Sequence, residues 1–119
     1  MNWTEGRLRG FIVNTLRSGM RRYPPKYETL NDAKVGKRVN PKTKRSAEYY
    51  KCSGCGGEFD KKDIEVDHRI PVIDPQKGFQ GWDEYITRLF CDKSNLQALC
   101  RSCHKQKTRN ERGQRRVEN

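Results

Sequence analysis

Apolar residues are scarce in this chain. Ala, Val, Ile, Leu, Met, Phe, Trp, Tyr and Cys together make up 32% of its 119 residues. Counted with glycine and without tyrosine they number 43, near 36%, against roughly 45–50% in ordinary globular domains. A chain of this size buries only about two-thirds of its unfolded surface, so a large apolar core is excluded. Either part of the chain is disordered, or something besides apolar burial staples it. No run approaches the ~20 apolar residues of a membrane-spanning helix, so no membrane partner is expected. The opening segment is interrupted by Arg7, Arg9 and Arg17 and does not read as a secretory signal, which makes a cytoplasmic location the expectation. Length bounds the chain to one domain with room for an arm.

Acidic residues are short as well: 15 Asp and Glu stand against 26 Lys and Arg, for a net charge of +11. The deficit is uneven. Residues 1–50 carry 12 basic and 4 acidic side chains, residues 51–99 carry 7 and 9, and residues 100–119 carry 7 and 2. Two basic flanks around a slightly acidic middle suit a polyanion gripped from both sides of a carboxylate-bearing site. The plain alternative is solvated lysine and arginine that aid solubility.

Histidine is rarer still, with two in the chain, whereas cysteine is plentiful for the length, with five. Cys52 and Cys55, then Cys100 and Cys103, make two Cys-x-x-Cys pairs separated by 44 residues. Such pairs suit four tetrahedral thiolates on one structural Zn²⁺. Cys52-Ser53-Gly54-Cys55-Gly56-Gly57 supplies the glycines a tight turn needs. Disulfides compete poorly without a secretory signal, and one pair would suffice for redox chemistry. Zinc would also relieve the small-core problem, because metal binding contributes folding free energy directly. Cys91, inside Leu89-Phe90-Cys91, reads as a buried free thiol.

Along the chain, residues 4–22 form an expected helix capped by Thr4, with Leu8, Phe11, Ile12, Leu16 and Met20 on one face. Pro24-Pro25 are expected to end it. Arg17 and Arg21 lie off the apolar face, as solvated charge or as phosphate contacts. Residues 34–45 hold Lys37, Arg38, Lys42, Lys44 and Arg45 and no acid. Asn40-Pro41 marks a turn there, in either a short hairpin or a mobile loop. This run can be a nuclear address or plain surface, and contact with a nucleic-acid backbone is the favoured reading. Residues 62–68 alternate as a strand, residues 82–90 form a helix with Trp82, Ile86, Leu89 and Phe90 as core, and residues 95–100 form a second strand. Residues 102–112 read as a final helix carrying His104, Lys105, Lys107 and Arg109. The tail from Gly113 reads as frayed.

Both histidines lie within or beside the loop the cysteines would close. Cutting a phosphodiester needs an attacking water, a base and a cation near the developing charge. Neutral His68 can take a proton from water near neutral pH. Asp67 offers a hard oxygen and His104 an imidazole, a sparse set that suits a divalent cation with open positions. One imidazole tilts affinity toward Mn²⁺, Ni²⁺ or Co²⁺, while cellular abundance favours Mg²⁺. Adjacent strand residues point to opposite faces, so Asp67 and His68 share one ion only if the strand ends or twists there. His104 could instead stand in for Cys103 on zinc, which a complete set of four cysteines makes unnecessary.

Three stretches together, Asp67-His68-x-x-Pro71, Ser94-Asn95-Leu96-Gln97-Ala98-Leu99-Cys100 and Cys103-His104-x-x-Lys107-Thr108, resemble the HNH endonuclease family over about residues 50–110. The Trp82–Ile86 helix is similar to that of small free-standing bacteriophage HNH proteins. The resemblance implies an α+β fold: a zinc-stapled ββα-metal core over residues 50–112, an N-terminal helix and basic arm over 1–49, and a disordered basic tail over 113–119. It implies His68 as general base, Asp67 and His104 as ligands of a catalytic Mg²⁺ or Mn²⁺, and Asn95 as the residue that orients the loop carrying the base. Products would carry a 5′-phosphate and a 3′-hydroxyl. The expectation is a DNA endonuclease acting on double-stranded DNA, a nickase if monomeric, in host cytoplasm if phage-encoded. Two alternatives stand beside it: a non-catalytic zinc-ribbon module that binds nucleic acid, and a phage DNA-packaging accessory with a phage or host protein partner.

Overall fold

The structure is a computed structural model that describes residues 3–118, with side chains described through Gln114. It is α+β, with four helices and two small antiparallel sheets among the described residues. Among the described residues no helix is long and apolar enough to cross a membrane.

Helix α1 (Glu5–Gly19) starts where the sequence places it. Thr4 is extended and its hydroxyl accepts from the Arg7 N–H at 3.2 Å, which satisfies one of the amides a helix start leaves unpaired. A 3-10 turn (Met20–Arg22) follows. Pro24 and Pro25, expected only as a stop, also begin a second helix, α2 (Pro24–Asp32). At a helix start the missing N–H matters least and the fixed φ already suits the helix.

Residues 34–45 resolve as a hairpin. Strand β1 (Lys34–Val39) pairs with β2 (Ser46–Lys51), and β3 (Glu58–Asp60) adds to the far edge of β2. The hairpin turn is held by Asn40, whose Oδ1 accepts from the Lys42 N–H at 2.8 Å, as short polar side chains do in turns. Strands β4 (Ile64–His68) and β5 (Leu96–Cys100) form the second sheet, in register from Ile64 opposite Cys100 to His68 opposite Leu96. Helix α3 (Trp82–Leu89) lies in the connection between them, and α4 (Arg101–Glu118) follows β5 directly. The expected fraying at Gly113 gives way to helical backbone as far as Glu118; one glycine costs about 1 kcal/mol against a hydrogen bond gained per added residue. Asn119, the last residue of that expected tail, lies outside the described residues.

Two small cores replace one large one. The first gathers Tyr50, Cys52, Ile64, Ala98, Leu99 and Cys100, with Leu30 and Ala33 of the α2 end packed on it. The second gathers Val72, Tyr85 and Leu89, with Val13, Leu16 and Met20 of the N-terminal helical segment against it. The expected apolar stripe of α1 is therefore only half used: Leu8 and Phe11 stay exposed, the Phe11 ring meeting Trp3 edge-on at a centroid distance of 5.5 Å. Ile86 of α3 is exposed too, while Trp82, Leu89 and Phe90 pack as expected. The division drawn at residue 49 falls inside β2, whose Tyr50 belongs to the first core. The N-terminal elements thus pack against the cysteine-bearing core.

Candidate functional site

Cys52 follows β2 and is fully buried. The chain turns tightly after it, with Cys52 N–H donating to Gly57 O at 2.8 Å and Gly56 N–H donating to Cys52 O at 2.9 Å. The glycines are required sterically. Gly56 has φ +75°, and a Cβ on Gly54 would sit 3.0 Å from Cys103 Sγ. This turn brings Cys55 toward Cys100, at the end of β5, and Cys103, in the first turn of α4.

The Sγ atoms of Cys52, Cys55, Cys100 and Cys103 all lie within 4.8 Å of one another, and none is in a disulfide. Cys55 and Cys100 sulfurs are 3.9 Å apart. That is close to the ~3.8 Å edge of a tetrahedron built on metal–sulfur bonds of about 2.3 Å. Backbone N–H groups of Gly54 and Cys100 each approach Cys52 Sγ at 3.3 Å. Burial disfavours the Cys52 thiolate, yet the amides of Cys100, Cys55 and Gly54 and the Cys103 thiol outweigh it and lower its pKa to about 6. Contacts from Cys100 and Cys52, together with burial, push Cys103 up to about 12. Four closely spaced sulfurs of this kind are the donor set of structural zinc, and the cluster could hold zinc or another metal. Among the described residues it is the one group of three or more His, Cys, Asp or Glu side chains that closes in this way. Cys91 stands apart from it as a free thiol.

Strand β4 separates the two neighbours Asp67 and His68. Asp67 faces α4, where its Oδ1 lies 4.0 Å from His104 Nε2 and its Oδ2 lies 3.1 Å from Lys107 Nζ. Glu65, two residues earlier and on the same face, places Oε2 3.9 Å from His104 Nδ1. Lys107 also pairs with Glu111 one turn on. Burial works against the Lys107 ammonium, but Glu111 and Asp67 outweigh it and raise its pKa above the ordinary lysine value. Asp67 and His104 therefore meet as the sequence predicts, with Glu65, Lys107 and Glu111 around them. The signals for Glu65 and Glu111 were spacing: two along a strand from Asp67, and four along a helix from Lys107.

His68 points the other way. Its Nε2 lies 2.8 Å from the Leu89 carbonyl at the end of α3. A carbonyl only accepts, so Nε2 carries the proton and the neutral ring keeps its lone pair on Nδ1. The loop after His68 is clamped twice. Asn95 Oδ1 accepts from the Ile70 N–H at 3.1 Å, its Nδ2 donates to Ile70 O at 3.4 Å, and its own carbonyl accepts from the Arg69 N–H at 2.7 Å. Arg88 of α3 donates from Nε and Nη2 to Pro71 O at 3.1 and 2.6 Å. Nothing in the sequence pattern marked the Leu89 carbonyl or Arg88, since one acts as, and the other donates to, a backbone carbonyl brought close by the fold.

Of the basic residues expected at a polyanion, Arg17, Arg21, Lys37, Arg38, Lys42, Lys44, Arg45, Lys105 and Arg109 are exposed. Arg38 shares its charge with Glu58 at 3.4 Å. Lys107 differs: its ammonium is committed to Asp67 and Glu111 rather than to solvent. A cavity of about 920 Å³ lies between α2, the first cysteine turn and β5 and is lined by Asp32, Lys51, Arg69, Lys93 and Gln97 among others. Asp67, His68 and His104 do not line it. Comparison with protein-family models, curated proteins and solved structures returns no match for the chain.

Proposed function

We propose that this chain is a metal-dependent DNA endonuclease of the HNH type. The observation that carries the reading is the hairpin of β4 and β5 running straight into α4, with Asp67 and His104 brought within 4.0 Å across that junction. The donor chemistry fits a divalent cation. Two ligand atoms each about 2.1 Å from one ion stand between about 3.0 and 4.2 Å apart, depending on the angle, and the gap between Asp67 Oδ1 and His104 Nε2 is within that span. Bound there, Mg²⁺ or Mn²⁺ would supply positive charge to the phosphate oxygens during hydrolysis.

His68 acts as the base. Its Nε2–H is held by Leu89, so Nδ1 is the atom that takes the proton from water. Asn95 and Arg88 hold the backbone that follows His68 and so keep the ring's direction fixed, which is the kind of orientation that contributes several kcal/mol to catalysis. Exposed lysines and arginines of α1, the β1–β2 hairpin and α4 contact phosphate and give little sequence readout, so affinity falls steeply with salt. One such site per monomer cuts one strand. The four-cysteine cluster ties β5 and α4 to the end of β2 and thereby fixes the junction at which Asp67 and His104 meet.

The Lys107–Asp67 pair favours a second reading, a non-catalytic zinc-bearing nucleic-acid module, because an ammonium already neutralises the carboxylate. A supercoiled-plasmid assay in Mg²⁺ or Mn²⁺ separates the two. Nicking by the zinc-loaded protein that His68→Ala abolishes is expected. No nicking in any divalent metal, with DNA binding retained, would favour the second reading over the first.

A further inference from the structure

Arg69 follows β4, and the pairing of that strand carries on through it: its N–H donates to Asn95 O at 2.7 Å. A strand repeats every two residues, so Arg69 leaves the sheet on the face that Asp67 occupies. Gln97 shares that face, directly opposite Asp67 in the β4–β5 register, where paired side chains stand about 4.5–5.5 Å apart at Cβ. Gln97 Oε1 accepts from two donors, Arg69 Nη1 and Ser53 Oγ, each at 3.1 Å. The guanidinium is thus tethered to a side chain that stands beside the Asp67–His104 pair.

The nature of the tether matters. Arg38, Arg88, Lys93, Arg101 and Lys107 each lie within 3.7 Å of a carboxylate oxygen. Arg69 makes no such pair among the described residues; it is exposed, and its acceptor is a neutral amide oxygen. It therefore keeps its whole charge while held in one direction. One of its five N–H groups is spent on Gln97, and the rest of the fork can take two oxygens of a single phosphate. A side chain ordered in advance loses less freedom on binding. Arg69, Gln97 and Ser53 also line the cavity along β5, with Lys34 and Lys51. Of its three acids, Asp32 is taken by Lys93 at 2.9 Å and Asp92 accepts from the Ser94 N–H at 3.0 Å, which leaves Glu28.

Resting on the reading of Asp67 and His104 as the cation pair of a DNA endonuclease, we propose that Arg69 holds a phosphate of the cut strand beside the one being hydrolysed, and that Gln97 positions its guanidinium for that contact. Arg69 touches substrate in this scheme, whereas Gln97 acts through Arg69.

Two measurements on the zinc-loaded protein test it. The first is the affinity for a labelled duplex across a salt series with no divalent metal added. Each neutralised phosphate contributes about 0.9 to the slope of log affinity against log salt, so Arg69→Ala should lower the slope by about that amount and weaken binding about 10-fold. Arg69→Lys should keep the slope. Gln97→Leu should keep the slope and weaken binding a few-fold, yet cost nothing further on top of Arg69→Ala. An unchanged slope in Arg69→Ala overturns the phosphate contact, and equal losses from Gln97→Leu in both backgrounds overturn the positioning role. The second measurement maps nicks in Mn²⁺ on a duplex in which one phosphate is replaced by an uncharged methylphosphonate. Wild type is expected to nick the neighbouring linkage on one side about 10-fold less than on unmodified DNA, and Arg69→Ala to nick it equally in both duplexes. The same depression in Arg69→Ala would assign that phosphate to another residue and overturn the proposal. If wild type binds DNA but nicks nothing, the endonuclease reading fails, and the salt series still decides whether Arg69 holds a phosphate.

Discussion

The two clusters at the start of α4 are built on opposite plans. The first draws four identical soft ligands from two tight turns, with Cys52 and Cys100 buried. The second, the cation pair proposed above, sets two unlike side chains, Asp67 and His104, 4.0 Å apart and 20% and 38% exposed. Backbone amides hold the first cluster, whereas side-chain charges hold the second. A closed set of like ligands suits a permanent structural ion, and a sparse mixed set leaves positions for water and phosphate. The two lie a few residues apart, and the first fixes the helix on which half of the second stands.

If that division is right, the largest effect comes from dismantling the cysteine cluster. Cys100→Ser, or strong chelation, is expected to abolish cooperative thermal unfolding. Structural zinc contributes apparent binding free energies of about 10–16 kcal/mol, and the two small apolar cores cannot replace that. Bound zinc near one ion per chain, measured by atomic emission and lost in the variant, checks it; a chelated protein that still melts cooperatively would break the comparison. Next in size is His68→Ala, expected to lower nicking by about 100-fold or more, the usual contribution of a general base, with zinc content and melting temperature nearly unchanged. A similar fall in both activity and zinc would show that the clusters are one structural unit.

Much of this division could be read before the fold was known, and the limits have physical causes. The Cys-x-x-Cys spacing and its glycines are local, so the metal-type cluster followed from the sequence alone. The β4 and β5 strands and α3 were legible because their apolar periodicity is regular. Asp67 and His104 were legible as a pair by chemistry. The strand argument left open whether Asp67 and His68 diverge, since a strand end or twist before Pro71 would have let them share a face. What stayed hidden depends on long-range placement. The second start signal in Pro24-Pro25 was masked by its more familiar role as a stop. The exposure of Leu8 and Phe11 could not be foreseen, since periodicity shows an apolar face but not the length of its partner. Lys107 read as a phosphate contact because its commitment to Asp67 crosses from helix to strand.

Asn95 and Lys107 sharpen the open site at intermediate scale. Asn95→Ala removes two side-chain hydrogen bonds to Ile70 and is expected to cost about 1–2 kcal/mol of stability, read by denaturant unfolding, with nicking reduced more than DNA affinity. Lys107→Met is expected to cost under about 1 kcal/mol, because partly exposed ion pairs are screened. Its Mn²⁺ affinity should change little if Asp67 Oδ2 is merely oriented by the ammonium. A large gain in affinity would mean that Lys107 competes with the cation.

Cys91 marks where the comparison should show no difference at all. It is the fifth cysteine, half-buried and free, and its one notable contact is made by its carbonyl, which accepts from the Tyr23 hydroxyl at 2.7 Å. Cys91→Ala leaves that backbone bond in place and deletes one sulfur, an apolar loss of about 0.5–1 kcal/mol. Zinc content and nicking are expected to match wild type. The same holds if Cys91→Ala is combined with Cys55→Ser: the double variant should lose as much zinc as Cys55→Ser alone. Zinc retained by Cys55→Ser but lost in the double variant would mean that Cys91 can reach the cluster and substitute for the most exposed of its four ligands, and the line drawn between a closed set of four and a free fifth thiol would fall.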